Sequence, residues 1–215
     1  MLYYNTVNDL LKNSLITLMN APIFQNFRLV GGTALSLQIG HRESIDIDLF
    51  SDAEYGTLNF KEIEDFLKNN FDYVDFLDVP PALGKAYFIG DNENNTIKLD
   101  IFYTDTFIQP YIEEDRIRMA TIEEIIAMKI DVIQRGGRKK DFWDLHNLLD
   151  SYSINQMIEL HEQRYPYTHD RNLIIQNFIS FEQADDDFDP ICYKGKYWEF
   201  IKGDFEEIIK NNPPL

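Results

Sequence analysis

The 215-residue chain reads as an α+β protein, with a mixed sheet first and a helical region after it. Two observations carry that reading. Between residues 27 and 103, short runs alternate apolar with polar residues and are separated by Gly, Pro and Asn clusters, which is the pattern of strands and turns. From Thr121 onward the hydrophobic period becomes 3.6 and stays there, which is the pattern of helices. The change near Asp115 divides the chain into an expected sheet domain, residues 1–114, and an expected helical domain, residues 115–215.

Each element has a local cause. In residues 6–19, Val7, Leu10, Leu11, Leu15, Ile16 and Leu18 recur at helical spacing, and Ala21-Pro22 ends the helix. Residues 27–30 form a short apolar strand that breaks at Gly31 and Gly32. Residues 33–38 make one or two helical turns closed by Gly40, and residues 45–50 alternate strictly as a second strand. Phe60, Ile63, Phe66 and Leu67 give residues 59–69 the apolar stripe of a surface helix. Residues 73–79, 85–89 and 96–103, divided by Pro80-Pro81 and a polar turn over 90–95, read as the strands of a meander. Thr121-x-x-Glu124 is a capping box that opens a helix, and Gly136-Gly137 stops it. Helical patterns then cover residues 138–150, 155–164, 171–184 and 197–211.

With 20 basic and 37 acidic residues the formal charge is −17, so the average surface repels nucleic acid and anionic membranes. A polyanionic substrate therefore requires a local basic patch. The 44% hydrophobic content is enough for a packed core and argues against disorder. Cys192 is the single cysteine, so no internal disulfide forms, which fits a reducing compartment. The N-terminus lacks the basic start and unbroken apolar core of a signal peptide, and no run approaches the ~20 apolar residues of a membrane span. The expectation is a cytoplasmic protein with no membrane partner.

The stretch of residues 27–51, FRLVGGTALSLQIGHRESIDIDLFS, holds the first candidate chemistry. Strand alternation puts Asp46 and Asp48 on one face, and Ile45, Ile47 and Leu49 on the other. Two carboxylates about 7 Å apart repel unless a cation sits with them, and Mg²⁺ is commonly held by one or two carboxylates together with substrate phosphates. Glycines upstream let a ligand approach the backbone, and amides at the following helix start face an anion well. On alternation alone, an edge strand with a polar face, a Gly-Gly turn and no chemistry is the favoured reading, since half-buried strands commonly alternate this way.

Gly31-Gly32-Thr33 followed by Asp46-x-Asp48 resembles the first signature of nucleotidyltransferases with a polymerase-beta-like fold, and GGTALSLQIGHRESIDIDLF resembles their AbiEii/AbiGii toxin branch. The resemblance implies a polymerase-beta-like nucleotidyltransferase domain with a mixed sheet, followed by a C-terminal helical domain. It implies Mg²⁺, or Mn²⁺, held by Asp46 and Asp48, and nucleotide binding by Gly31, Gly32, Thr33, Arg42 and Ser44. The superfamily's usual Gly-Ser is Gly32 here with Thr33 behind it, so a phosphate-binding hydroxyl has to come from Thr33. A third carboxylate on a later strand is common in the superfamily, and Asp100, in the run Ile97-Lys98-Leu99-Asp100-Ile101, is the candidate; by pattern alone it is an ordinary solvent-facing strand residue.

A second constellation follows. Ile122, Ile125, Ile126 and Ile133 form an apolar helical stripe on which Lys129 also falls, and Asp141 and Asp144 lie three apart on the next helix. A lysine on a buried face must reach solvent, pair with a carboxylate or bind an anion. A structural Lys-Asp pair meets that need as well as a phosphate does. TIEEIIAMKIDVIQRGGRKKDFWDLHNLL resembles the family's later motifs, whose lysine and aspartate are implicated in nucleotide binding and activity. That resemblance makes Lys129 a functional residue. It leaves open Asp141 or Asp144 as the aspartate, with Asp141 preferred. Lys129, Arg135, Arg138, Lys139 and Lys140 put five basic residues into twelve positions, the footprint of a phosphate contact or of a solvated helix junction. His41, His146, His161 and His169 show no metal-ligand spacing.

The resemblance extends to the tail, FEQADDDFDPICYKGKYWEFIKGDFEEII. The function it implies is Mg-dependent transfer of an NMP from an NTP to an acceptor, either an RNA such as a tRNA end or a protein, by the toxin of a toxin–antitoxin or phage-defence system with a cognate antitoxin. The alternative is a nucleotide-binding regulatory protein of the same fold without transfer activity.

Overall fold

The computed structural model describes residues Met1–Asn211. Two compact units divide it: Met1–Gly40 with Ser44–Ala120, and His41–Glu43 with Thr121 onward. The division lies later than the change of period, because the strands around Asp115 pair within the first unit.

The first unit is built on one mixed seven-stranded sheet, order β3-β4-β5-β2-β1-β7-β6. Its strands are β1 (Arg28–Leu29), β2 (Asp46–Ser51), β3 (Tyr73–Asp75), β4 (Gly84–Asn92), β5 (Asn95–Tyr103), β6 (Ile112–Glu114) and β7 (Ile117–Met119). The predicted meander is present: β3, β4 and β5 pair antiparallel in sequence order. β2 pairs parallel with β5 and antiparallel with β1. The β6–β7 hairpin escapes sequence reading because its two turn residues, Asp115 (φ 52°) and Arg116 (φ 65°), adopt the left-handed region without the glycine or asparagine that marks such turns.

Three helices belong to this unit: α1 (Asp9–Asn20), α2 (Gly31–Ile39) and α3 (Phe60–Asn70). Asn8 caps α1 by accepting from Leu11 N at 2.8 Å, and Leu11, Leu15, Leu18 and Met19 are its buried stripe. Asn59 caps α3 in the same way and buries Phe60, Ile63 and Leu67. Ile47 and Leu49 of β2 and Ile97, Leu99 and Ile101 of β5 are buried on one sheet face, as alternation requires. Ile45 does not join them; it precedes the strand and is 62% exposed.

The second unit is helical: α4 (Ile122–Gln134), α5 (Lys139–His146), α6 (Ile154–Arg164), α7 (Arg171–Asn177), α8 (Glu182–Asp185) and α9 (Trp198–Asn211). Thr121 caps α4 by accepting from Glu124 N, and the Glu124 carboxylate is buried against Arg164. Gly136 (φ 112°) and Gly137 (φ 69°) end α4, with Gly137 N donating to Val132 O at 2.9 Å. Residues 171–184 are two helices where one is expected. Ile174, Phe178, Phe181 and Ala184 are all buried and keep a helical period across the break, so periodicity alone could not show it. Phe142 of α5 packs edge-to-face against Phe181, Trp198 and Phe205, the aromatic centre of this unit. Among the described residues no helix is long and apolar enough to cross a membrane.

Candidate active site

In the first unit the chain turns sharply from β1 into α2. Gly31 opens α2 at φ 68°, and a Cβ there would lie 2.5 Å from Asp48 Oδ2, so the position accepts only glycine without displacing that carboxylate. Val30 N donates to Asp48 O at 2.9 Å and fixes the strand that carries the carboxylate. Gly31 and Gly32 are the first two residues of a nine-residue helix, and amides at such a start have no intrahelical acceptor.

Thr33 is buried, and its hydroxyl donates to the Asp46 carbonyl oxygen. That uses its single proton, so the 2.7 Å bond between Thr33 Oγ1 and Ser44 Oγ has Ser44 as donor. The resemblance implies a phosphate-binding hydroxyl at Thr33; in the structure that hydroxyl bonds to Asp46 O and Ser44 Oγ. Thr33 and Ser44 together hold the start of β2 against α2.

The parallel register of β2 and β5 sets Asp46 opposite Lys98 and Asp48 opposite Asp100. These four side chains share the sheet face opposite the buried apolar residues. Lys98 Nζ donates to Asp100 Oδ2 at 2.5 Å, while Asp100 Oδ1 is buried and has no hydrogen-bond partner among the described residues. Burial pulls the Lys98 pKa down, but the carboxylates of Asp100, Asp48 and Asp46 outweigh it and hold the ammonium above its ordinary value. Sequence reading passed over Lys98. Its one signal is that Lys98-Leu99-Asp100 repeats the alternation of Asp46-Ile47-Asp48, and that acquires meaning only once the strand pairing is known.

Among the described residues, no three His, Cys, Asp or Glu side chains are arranged to hold an ion by themselves. The first unit offers the hard oxygens of Asp46 and Asp48 on one face, glycine backbone against Asp48, and a buried acceptor on Asp100. That donor set fits Mg²⁺ or Mn²⁺, which take oxygen ligands and complete their coordination with water and substrate phosphates.

The second unit holds the other predicted residues in one buried ionic network. Lys129 Nζ donates to Asp141 Oδ1 at 2.8 Å and lies 2.5 Å from Asp144 Oδ2, so both candidate aspartates are its partners. Arg42 grips Asp144 with two bonds, Nε to Oδ1 at 2.6 Å and Nη2 to Oδ2 at 2.7 Å. Arg138 Nε donates to Asp141 Oδ2 at 2.7 Å. Burial would raise both carboxyl pKa values. Lys129 and Arg138 overcome this for Asp141, and Lys129 and Arg42 drive Asp144 well below the carboxylate range. Burial also opposes the Lys129 charge, and the two aspartates keep its pKa raised.

His41 Nε2 lies 2.6 Å from Asp144 Oδ1; because Asp144 is ionised and can only accept, Nε2 carries the proton. The absence of metal-ligand spacing around His41 says nothing of this bond, whose partners are 103 positions apart. His41 and Arg42 reach this network because an isolated antiparallel bridge joins Arg42 to Cys192, with Glu43 N donating to Ile191 O and Tyr193 N to His41 O, each at 2.9 Å. The loop between the glycines of α2 and the aspartates of β2 is therefore built into the second unit.

The expected basic patch over residues 135–140 is largely paired. Lys139 is buried and bonds to Asp185 O, Asp187 O and Asp189 Oδ1, while Arg135 pairs with Asp131. Counting charges along the sequence could not see that the acidic run at residues 185–189 is the socket for Lys139.

The fold is shared with proteins of known structure. A Helicobacter pylori protein provisionally assigned as a nucleotidyltransferase superposes with a TM-score of 0.60 at 19% identity, over 94% of this chain and 90% of its own. MenT4, a nucleotidyltransferase toxin of Mycobacterium tuberculosis, superposes with a TM-score of 0.55 at 11% identity, over 94% of this chain and 82% of its own. An uncharacterized Aquifex aeolicus protein is 25% identical over 214 residues, 93% of this chain and 94% of its own length. The sequence matches the family described as the nucleotidyl transferase AbiEii toxin of type IV toxin–antitoxin systems over residues 14–211, so the chain belongs to the AbiEii nucleotidyltransferase family.

Proposed function

We propose that the chain moves a nucleoside monophosphate from an NTP, with Mg²⁺ or Mn²⁺, to a hydroxyl of an RNA or protein acceptor, as the toxin of a two-gene system with a cognate antitoxin. The observation that carries this reading is the approach of the Gly31 backbone to the Asp48 carboxylate, with Asp46 on the same strand face, in a chain of the AbiEii family. Asp46 and Asp48 hold the ion, which when bound supplies Lewis-acid polarisation and a template for phosphate oxygens. The amides of Gly31 and Gly32 at the start of α2 receive phosphate oxygens. Asp100, with Oδ1 unbonded, accepts the proton of the acceptor hydroxyl as its oxygen bonds to the α-phosphorus and pyrophosphate leaves.

Thr33 and Ser44 act at one remove by setting the position of Asp46. Arg42, Lys129, Asp141 and Asp144 fix the loop between the glycine pair and the aspartate pair, and Lys129, Arg42 and Arg138 are the cations of that network. Because catalysis here is positioning and charge neutralisation, no nucleophilic side chain is required.

The test uses each NTP in two labelled forms with purified protein, Mg²⁺ and separate pools of RNA and of protein. Label from the α-phosphate retained on a macromolecule, and label from the γ-phosphate released as pyrophosphate, support nucleotidyl transfer and identify the acceptor. Retention of the γ label would instead mean phosphoryl transfer and contradict the proposal.

A further inference from the structure

We propose that Lys98 is a built-in counter-cation of the carboxylate face, competing with the divalent ion and setting how tightly the site takes metal before nucleotide arrives. The inference rests on the reading of Asp46 and Asp48 as the residues that hold the ion. β2 and β5 place Asp46, Asp48 and Asp100 on one face of neighbouring strands, and like charges so placed repel. The strand register puts one cation among them: Lys98 stands opposite Asp46, and its ammonium is 2.5 Å from Asp100 Oδ2.

Of the groups named on these two strands, Asp46, Asp48 and Asp100 are acidic and Lys98 is basic. An incoming cation therefore meets both the attraction of Asp46 and Asp48 and the repulsion of an ammonium already bound to Asp100.

Lys98 is also built to yield. Its side chain is 41% exposed, on a flexible four-carbon stem, so it can leave Asp100 for solvent. Lys129, at 6% exposure between two buried aspartates, has no such freedom.

The experiment measures Mn²⁺ binding without nucleotide, by the loss of the free-ion paramagnetic signal, for wild type, Lys98→Gln, Lys98→Arg and Lys98→Gln combined with Asp48→Asn. Removing the competing charge should tighten Mn²⁺ binding on the order of tenfold in Lys98→Gln. Lys98→Arg, which keeps the charge, should stay near wild type, and the added Asp48→Asn change should abolish the gain. Melting curves should show a larger Mn²⁺-induced shift for Lys98→Gln than for wild type. Equal or weaker Mn²⁺ binding by Lys98→Gln overturns the counter-cation role while leaving the ion at Asp46 and Asp48. Absence of Mn²⁺ binding by both wild type and Lys98→Gln overturns the reading of those aspartates as ion ligands, and this inference with it.

Discussion

Gly31 and Asp48 meet backbone to carboxylate: at φ 68° a Cβ on Gly31 would stand 2.5 Å from Asp48 Oδ2. Gly31→Ala must therefore strain the backbone and push the Asp48 side chain away at once. The expected cost is about 1–3 kcal/mol of stability, with a loss of transfer rate of at least about a hundredfold because the carboxylate is misplaced. Urea unfolding and the labelled-NTP rate check it together; a variant that transfers at the wild-type rate removes the close approach from the mechanism.

Lys129→Met tests the buried network. The substitution leaves Asp141 and Asp144, both nearly inaccessible, without the ammonium that bridges them. A loss of about 3–5 kcal/mol is expected, seen as a large drop in melting temperature. Arg42 and Arg138 still hold one aspartate each, so the variant should fold at low temperature. If it melts as wild type does and loses only its Mg²⁺-NTP-induced shift, Lys129 is a ligand for the triphosphate and not a structural cation.

How much of this was legible in the sequence depends on whether the cause is local. Alternation around Asp46, Asp48 and Asp100 is local, and the structure places all three on the polar face of their strands. The glycine pair at a strand-to-helix break is local too. Lys98 needed the register of β2 with β5, a pairing across about fifty residues that no local period reports. The junction of His41 and Arg42 with Asp144 spans more than a hundred positions and rests on an isolated bridge between Arg42 and Cys192. Arg138 and Lys139 looked like part of a phosphate footprint because charge can be counted along a chain; their partners, Asp141 and residues 185–189, appear only in the fold.

His41 gives a pH prediction with a definite sign. Burial lowers its pKa, and the attraction of Asp144 does not restore it to the ordinary value of about 6.5. The folded protein then takes up this proton only at a pH below the unfolded pKa. The stability His41 contributes is present above about pH 6.5 and is lost as pH falls through its folded-state pKa. Imidazole proton shifts followed by NMR from pH 8 to 5 should give a midpoint for His41 below 6.5. A midpoint at or above it would mean that Asp144 outweighs burial.

The most direct measurement is the transfer rate of Asp46→Asn and Asp48→Asn with α-labelled NTP and Mg²⁺, beside melting curves of the same proteins. Each change keeps the side-chain shape and removes one charge, so the melting curves separate a loss of chemistry from a loss of fold. The account predicts that transfer is abolished in both while the fold is kept. Transfer at the wild-type rate by either folded variant would contradict the assignment of these two aspartates, and with it the proposed mechanism.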